Sequence, residues 1–244
     1  MKNVLLVDSG SGGVNVLLEC VKNAPYCNYL MFCDNKNLPY GEKSQEKLQK
    51  LMIENLKMIY TFFKFDIVVV ACNTLTATTI EKCREIFCDV KFIGTEPAIK
   101  PALEKYKPED ILLLATPTTI KHNHYVNLVK GIQTLEMTEL ASLIDENLDD
   151  LSAILPYIKN KLHGKTAKAV VLGCTHYVAV KDLIAACLPN AEIFTSEGGV
   201  ARRLKAILGE ERVNYQVQFI TSKNDGFLPK IVCYFNKSEK FICL

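Results

Sequence analysis

The sequence predicts an α/β fold of two similar doubly wound parallel-sheet domains, related by a pseudo-two-fold axis and enclosing an active site in the cleft between them. Three observations predict it. Short apolar runs alternate with longer amphipathic stretches along the 244 residues, the pattern of parallel strands with helices on both faces. Two of the runs, Ile67-Val68-Val69-Val70-Ala71-Cys72-Asn73-Thr74 and Ala169-Val170-Val171-Leu172-Gly173-Cys174-Thr175-His176, end alike in a cysteine followed by small hydrogen-bonding side chains. Strand ends also recur at near-constant offsets, 108 residues for Asp8 with Thr116, 102 for Cys72 with Cys174 and 101 for Glu96 with Glu197. Such spacing marks an internal duplication. The rival is chance alignment of generic α/β punctuation, because side-chain identity between the halves is thin.

The first strand, Val4 to Val7, breaks at Asp8-Ser9-Gly10-Ser11-Gly12-Gly13 before an amphipathic stretch that begins near Val14. Asn15 stands where a dinucleotide fingerprint needs its third glycine, and no Gly-Lys-Ser/Thr follows. What remains is a glycine-rich turn opening a helix, able to hold a small anion on backbone N–H groups or to serve as a turn alone. A second strand spans Tyr29 to Cys33 and a loop runs from Asp34 to Tyr40-Gly41. A helix follows from Ser44 to Phe63, with Ser44 as N-cap and apolar residues at 48, 51, 52, 55 or 56, 59 and 63 on one face. The Cys72 run is the third strand, Thr76 to Phe87 a helix, and Val90 to Gly94 a strand closing at Thr95-Glu96-Pro97. In the second half the strands are Ile111 to Ala115, Thr134 to Met137, Ala169 to Gly173 and Glu192 to Phe194. The expected domains are 1–96 joined by 210–244, carrying Asp8 and Cys72, and 97–209, carrying Cys174 and His176. The pattern of residues 211–244 is too mixed to assign elements.

The totals narrow the function. With 29 basic and 27 acidic side chains the net charge is +2, and no basic stripe or aromatic platform points to nucleic acid. No apolar run exceeds six residues, far below the roughly 20 that span a bilayer. A run of only four apolar residues, Val4 to Val7, precedes Asp8, too few for a signal peptide core. A cytoplasmic protein without a membrane partner is expected. Ten cysteines are scattered with no C-x-x-C pair, which removes support for zinc fingers, thioredoxin-type pairs or any metal site. In a reducing cytosol Cys20, Cys27, Cys33, Cys83, Cys88, Cys187, Cys233 and Cys243 read as small core hydrophobes.

Cys72 and Cys174 are different, since each stands at the carboxyl end of a strand, where open α/β sheets bind ligands. Two lobes meeting at those ends would grip a substrate between two thiols. That suits inversion at a carbon bearing an acidic hydrogen, one thiolate taking the proton from one face while the other thiol donates to the opposite face. A free thiol titrates near about 8.5, and a helix N-terminus or a histidine cation shifts it toward thiolate. His176 lies two residues from Cys174, and Asp8 is placed to relay protons beside Cys72. Asn73, Thr74 and Thr175 would hold an amino acid's carboxylate and ammonium, or cap the helices that follow. No cofactor motif is present to stabilise the carbanion instead.

At these residues the sequence resembles the glutamate racemases over residues 1 to about 205. The markers are Asp8-Ser9-Gly10-Ser11-Gly12-Gly13, Pro39-Tyr40-Gly41, Val70-Ala71-Cys72-Asn73-Thr74, Glu96-Pro97, Ala115-Thr116 with Thr119, and Leu172-Gly173-Cys174-Thr175-His176-Tyr177. The resemblance implies cofactor-independent interconversion of L- and D-glutamate, Cys174 deprotonating the L and Cys72 the D enantiomer, with Asp8 and His176 assisting. It implies a glutamate site lined by Asp8, Ser9, Tyr40, Gly41, Asn73, Thr74, Thr116, Thr119, Thr175 and His176. It also implies a homodimer that supplies D-glutamate to bacterial peptidoglycan. Family members often carry a further catalytic carboxylate, for which Leu143-Ile144-Asp145-Glu146 is the best match, Asp145 before Glu146. Val178 replaces the usual proline after His-Tyr, and the segment after Phe219 diverges. The alternatives are an aspartate racemase of the same superfamily, a hydrolase or transferase with Cys72 or Cys174 as nucleophile and His176 as base, and a non-catalytic two-lobed amino-acid-binding protein.

Overall fold

The structure is a computed structural model and describes residues 1–25, 27–209 and 215–242. Along the first half run β1 (Asn3–Asp8), α1 (Gly12–Asn23), β2 (Asn28–Cys33), α2 (Gln45–Phe62), β3 (Ile67–Val70), α3 (Asn73–Ile86), β4 (Lys91–Gly94) and α4 (Ile99–Leu103). The second half contains β5 (Ile111–Ala115), α5 (Pro117–His122), α6 (His124–Leu128), β6 (Gln133–Glu136), α7 (Leu140–Glu146), α8 (Leu155–Leu162), β7 (Ala169–Gly173), α9 (Lys181–Cys187), β8 (Glu192–Phe194) and α10 (Glu197–Leu208). The chain ends with β9 (Gln216–Thr221) and α11 (Phe227–Ile242). Two sheets result, ordered β4-β3-β1-β2-β9 and β6-β5-β7-β8, with every pairing parallel.

The continuous apolar runs exist because both faces of each central strand are covered. In β1, Val4 and Leu6 face a core shared with α1, α10 and α11, while Leu5 and Val7 face one shared with α2 and α3. In β5, Leu112 and Leu114 face α7, α8 and α9, whereas Ile111, Leu113 and Ala115 face α4. The helical period of α2 is realised as Leu48, Met52, Leu56 and Ile59 inward, and Ser44 caps it by accepting the Lys47 N–H at 3.3 Å.

Read from the opposite edge the second sheet is β8-β7-β5-β6, the same order as the first four strands of the other. The strand registers make the correspondence finer than spacing could. Val70 lies beside Val7 and Leu172 beside Leu114, so with Cys72 matched to Cys174 the counterpart of Asp8 is Ala115. That is one residue short of the Thr116 the offsets pair with it.

Residues left without elements in the sequence form β9, a fifth strand of the first sheet beside β2, and α11, which sets Ile231 and Phe235 into the first core. α10 lies within 97–209 yet sends Val200, Ala201 and Leu204 into that same core. Cys88 and Cys233 are exposed rather than core residues, the first in the turn after α3 and the second on the outer face of α11. Cys243 lies outside the described residues. Among the described residues no helix is long and apolar enough to cross a membrane.

Candidate active site

β3 and β7 each lie beside the strand that opens their half, at the point where strand order reverses and a doubly wound sheet forms its crevice. Cys72 and Cys174 follow them with nearly the same extended backbone, φ −144° and ψ 121° against φ −147° and ψ 134°. Cys72 is the N-cap residue of α3. Cys174 opens a 3-10 turn over Thr175–Val180. Both side chains are buried.

The side chains around the two sulfurs come from both halves. Asp8, fully buried at the end of β1, accepts the Ser9 N–H at 2.6 Å and the Thr175 hydroxyl at 3.0 Å. Burial pushes the Asp8 carboxyl above its ordinary range, against the pull of His176 and of the Ser9 and Thr175 donors. Burial, then the Asp8 charge, pushes the Cys72 thiol well up; the nearby Cys174 sulfur adds to the rise. Across the crevice the Cys174 sulfur meets His176 Nδ1 at 3.7 Å, and His176 Nε2 meets Asp145 Oδ2 at 3.3 Å. Burial works to lower the imidazole pKa, but the Asp145 carboxylate and the bond to Cys174 outweigh it and hold the ring well above its usual value. Cys72 therefore has a carboxyl group as its neighbour and Cys174 an imidazole whose cationic form is favoured.

A second group adjoins the first. Thr74 Oγ1 lies 3.0 Å from Thr116 Oγ1 and 3.2 Å from Thr119 Oγ1, and Thr116 donates to Thr119 at 2.9 Å. The Gly41 carbonyl accepts the Thr118 hydroxyl at 2.6 Å. Tyr40 packs in the same apolar cluster as Cys72. Asn73 donates to the Thr95 carbonyl at 3.0 Å and leaves its buried Oδ1 without a partner among the described residues. Every residue expected to act in catalysis or to line the glutamate site is thus buried, Ser9 and Gly41 included.

Three further carboxylate and hydroxyl groups support them. Asp145 is buried whereas Glu146 is exposed, and Asp145 also receives the Ser11 N–H at 3.0 Å and the Ser11 hydroxyl. Asp34 is buried at the end of β2, where it accepts the Tyr40 hydroxyl, Asn55 at 3.1 Å and Asn37 at 3.0 Å. Ser11 and Asp34 were not singled out. Asp34 carried the same signal as Asp8, a carboxylate directly after an apolar strand.

No protein-family model matches the sequence. The glutamate racemase of Clostridium acetobutylicum is 35% identical over 211 residues, covering 82% of this chain and 81% of its own length. The chain belongs to the glutamate racemase family. A glutamate racemase of Haemophilus ducreyi is 32% identical over 242 residues, covering 92% and 91%. Among solved glutamate racemases, the Escherichia coli structure, a complex with L-glutamate and the activator UDP-MurNAc-Ala, superposes with a TM-score of 0.85 at 26% identity over 97% of this chain and 94% of that one. A glutamate racemase isoform from Bacillus anthracis gives 0.82 at 25% identity over 100% and 94%. Both have the two-sheet glutamate racemase fold.

Proposed function

We propose that the chain interconverts L- and D-glutamate without a cofactor by passing the Cα proton between two thiols, and that the D-glutamate feeds bacterial peptidoglycan. The observation that carries this reading is the matched placement of Cys72 and Cys174 at equivalent strand ends, each with its own proton partner. The Cys174 thiolate removes the proton of L-glutamate, and Cys72, held as a thiol by burial and by Asp8, donates to the opposite face. The reverse reaction starts at Cys72, with Asp8 taking the thiol proton. His176 faces the Cys174 sulfur with a positive charge that Asp145 sustains. Asn73, Thr74, Thr175 and Ser9 hold the ammonium and α-carboxylate, while Thr116, Thr119, Tyr40 and Gly41 complete the pocket. A homodimer and a cytoplasmic location belong to the same reading.

Incubation with either glutamate enantiomer in D₂O, with no cofactor added, is expected to wash deuterium into Cα as the optical signal decays to the racemate. A trapped acyl-enzyme would establish a cysteine nucleophile instead, and faster turnover of aspartate would move the chain to the neighbouring branch. The Asp145→Asn variant is expected to lose about 10- to 100-fold in kcat/KM, the usual range for one acid–base partner or the group that orients it. Its pH profile has a definite sign. Asp145 raises the His176 pKa, so its loss lowers that pKa, and the alkaline limb must move to lower pH. A limb that stays in place would remove Asp145 from the proton network.

A further inference from the structure

The active-site turn is held from a third direction, by the end of the chain. Tyr234 of α11 donates its hydroxyl to Asn15 Oδ1 at 2.8 Å, and Asn15 Nδ2 on α1 donates to the Thr175 carbonyl at 3.1 Å. Thr175 lies between Cys174 and His176, and its hydroxyl is the one bonded to Asp8. Ile231 and Phe235, on either side of Tyr234, are buried in the first core, so the phenol is carried on a fixed helix. Burial pushes that phenol up to about 12, which keeps it a donor wherever the protein works. We infer that Tyr234 and Asn15 are positioning residues, a two-bond brace from the C-terminal helix that sets where Cys174 and His176 stand relative to the lobe carrying Cys72. Nothing in the glutamate chemistry requires a residue this far along the chain; the brace follows from the hydrogen bonds alone.

The inference rests on Cys174 acting as base toward L-glutamate. Tyr234→Phe keeps the ring and removes only the donor, and is expected to lower kcat/KM about fivefold to tenfold, the rate equivalent of one hydrogen bond. Asn15→Ala is expected to cost more, because it severs the bond to the carbonyl itself. Since Tyr234 acts through Asn15, Tyr234→Phe should cost nothing further in the Asn15→Ala background. An isotope comparison separates positioning from general loosening. With the Cys174 step slowed, the deuterium effect of Tyr234→Phe rises for 2-deutero-L-glutamate and does not rise for 2-deutero-D-glutamate. Full activity of Tyr234→Phe, losses that multiply in the double variant, or isotope effects that change equally would each overturn the brace. Should Asn15→Ala not fold, the isotope pair in Tyr234→Phe decides alone. Failure of the underlying reading looks different, for then Cys174→Ser would still racemise glutamate whatever Tyr234→Phe does.

Discussion

Replacing Cys72 or Cys174 by serine is expected to lower kcat/KM by about a thousandfold or more, and by the same factor in both directions. The size follows from the chemistry of the pair. An alcohol is a far weaker acid than a thiol, so it is neither a competent base nor a ready donor near neutral pH, and the remaining thiol reaches only one face of Cα. The equality follows from the substrates. L- and D-glutamate have equal free energy, so the two values of kcat/KM are tied together whichever sulfur is lost. The residual reactions separate the roles. Cys72→Ser keeps Cys174, and should exchange the Cα proton of L-glutamate with solvent without inverting it; Cys174→Ser should do so only with D-glutamate. Chiral chromatography with mass detection in D₂O reads both. Near-normal racemisation by either variant would end the two-thiol mechanism.

The second large effect is expected from Gly12→Ala. A Cβ on Gly12 would stand 2.4 Å from His176 Nδ1, 2.5 Å from the His176 backbone nitrogen and 2.6 Å from the Thr175 hydroxyl. The backbone contact cannot be relieved by turning a side chain, so α1 and the turn after Cys174 must move apart. A displacement of about 1 Å between reacting groups costs roughly 100-fold in rate, and kcat/KM should fall by at least that much. Each sheet keeps its own core, so the circular dichroism of the variant should match the parent's. Gly199→Ala is the control, a helical position where the added carbon meets nothing within 4 Å; unchanged kcat is expected there. Activity of Gly12→Ala close to the parent's would show that the two halves need not touch as closely as they do.

What could be read from the sequence was set by local signals. The central strands were legible because double coverage writes itself as unbroken runs such as Ile67–Val70 and Ile111–Ala115. β9 was not, because an edge strand of exposed and half-buried residues has no such run. α3 begins at Asn73 rather than Thr76, since its first turn is built from polar residues that also belong to the site. Cys72, Cys174, Asp8 and His176 were visible from their places beside strand ends. Ser11 acquires its partner only through a contact 134 residues away, and Asn15 through contacts 160 and 219 residues away, distances over which no local pattern operates. That Ala115 rather than Thr116 is the counterpart of Asp8 likewise required the register of paired strands.

The placement of α10 and β9 bears on how such a chain can be taken apart. Severed after residue 96, the amino-terminal piece would keep four of its five strands and α1, but lose the two helices that complete one side of its interior. The carboxy-terminal piece would keep both interiors around its own sheet, although the same topology is written twice. One strand order thus occurs twice in this molecule, while the tail of the chain returns to seal the interior of the portion made first.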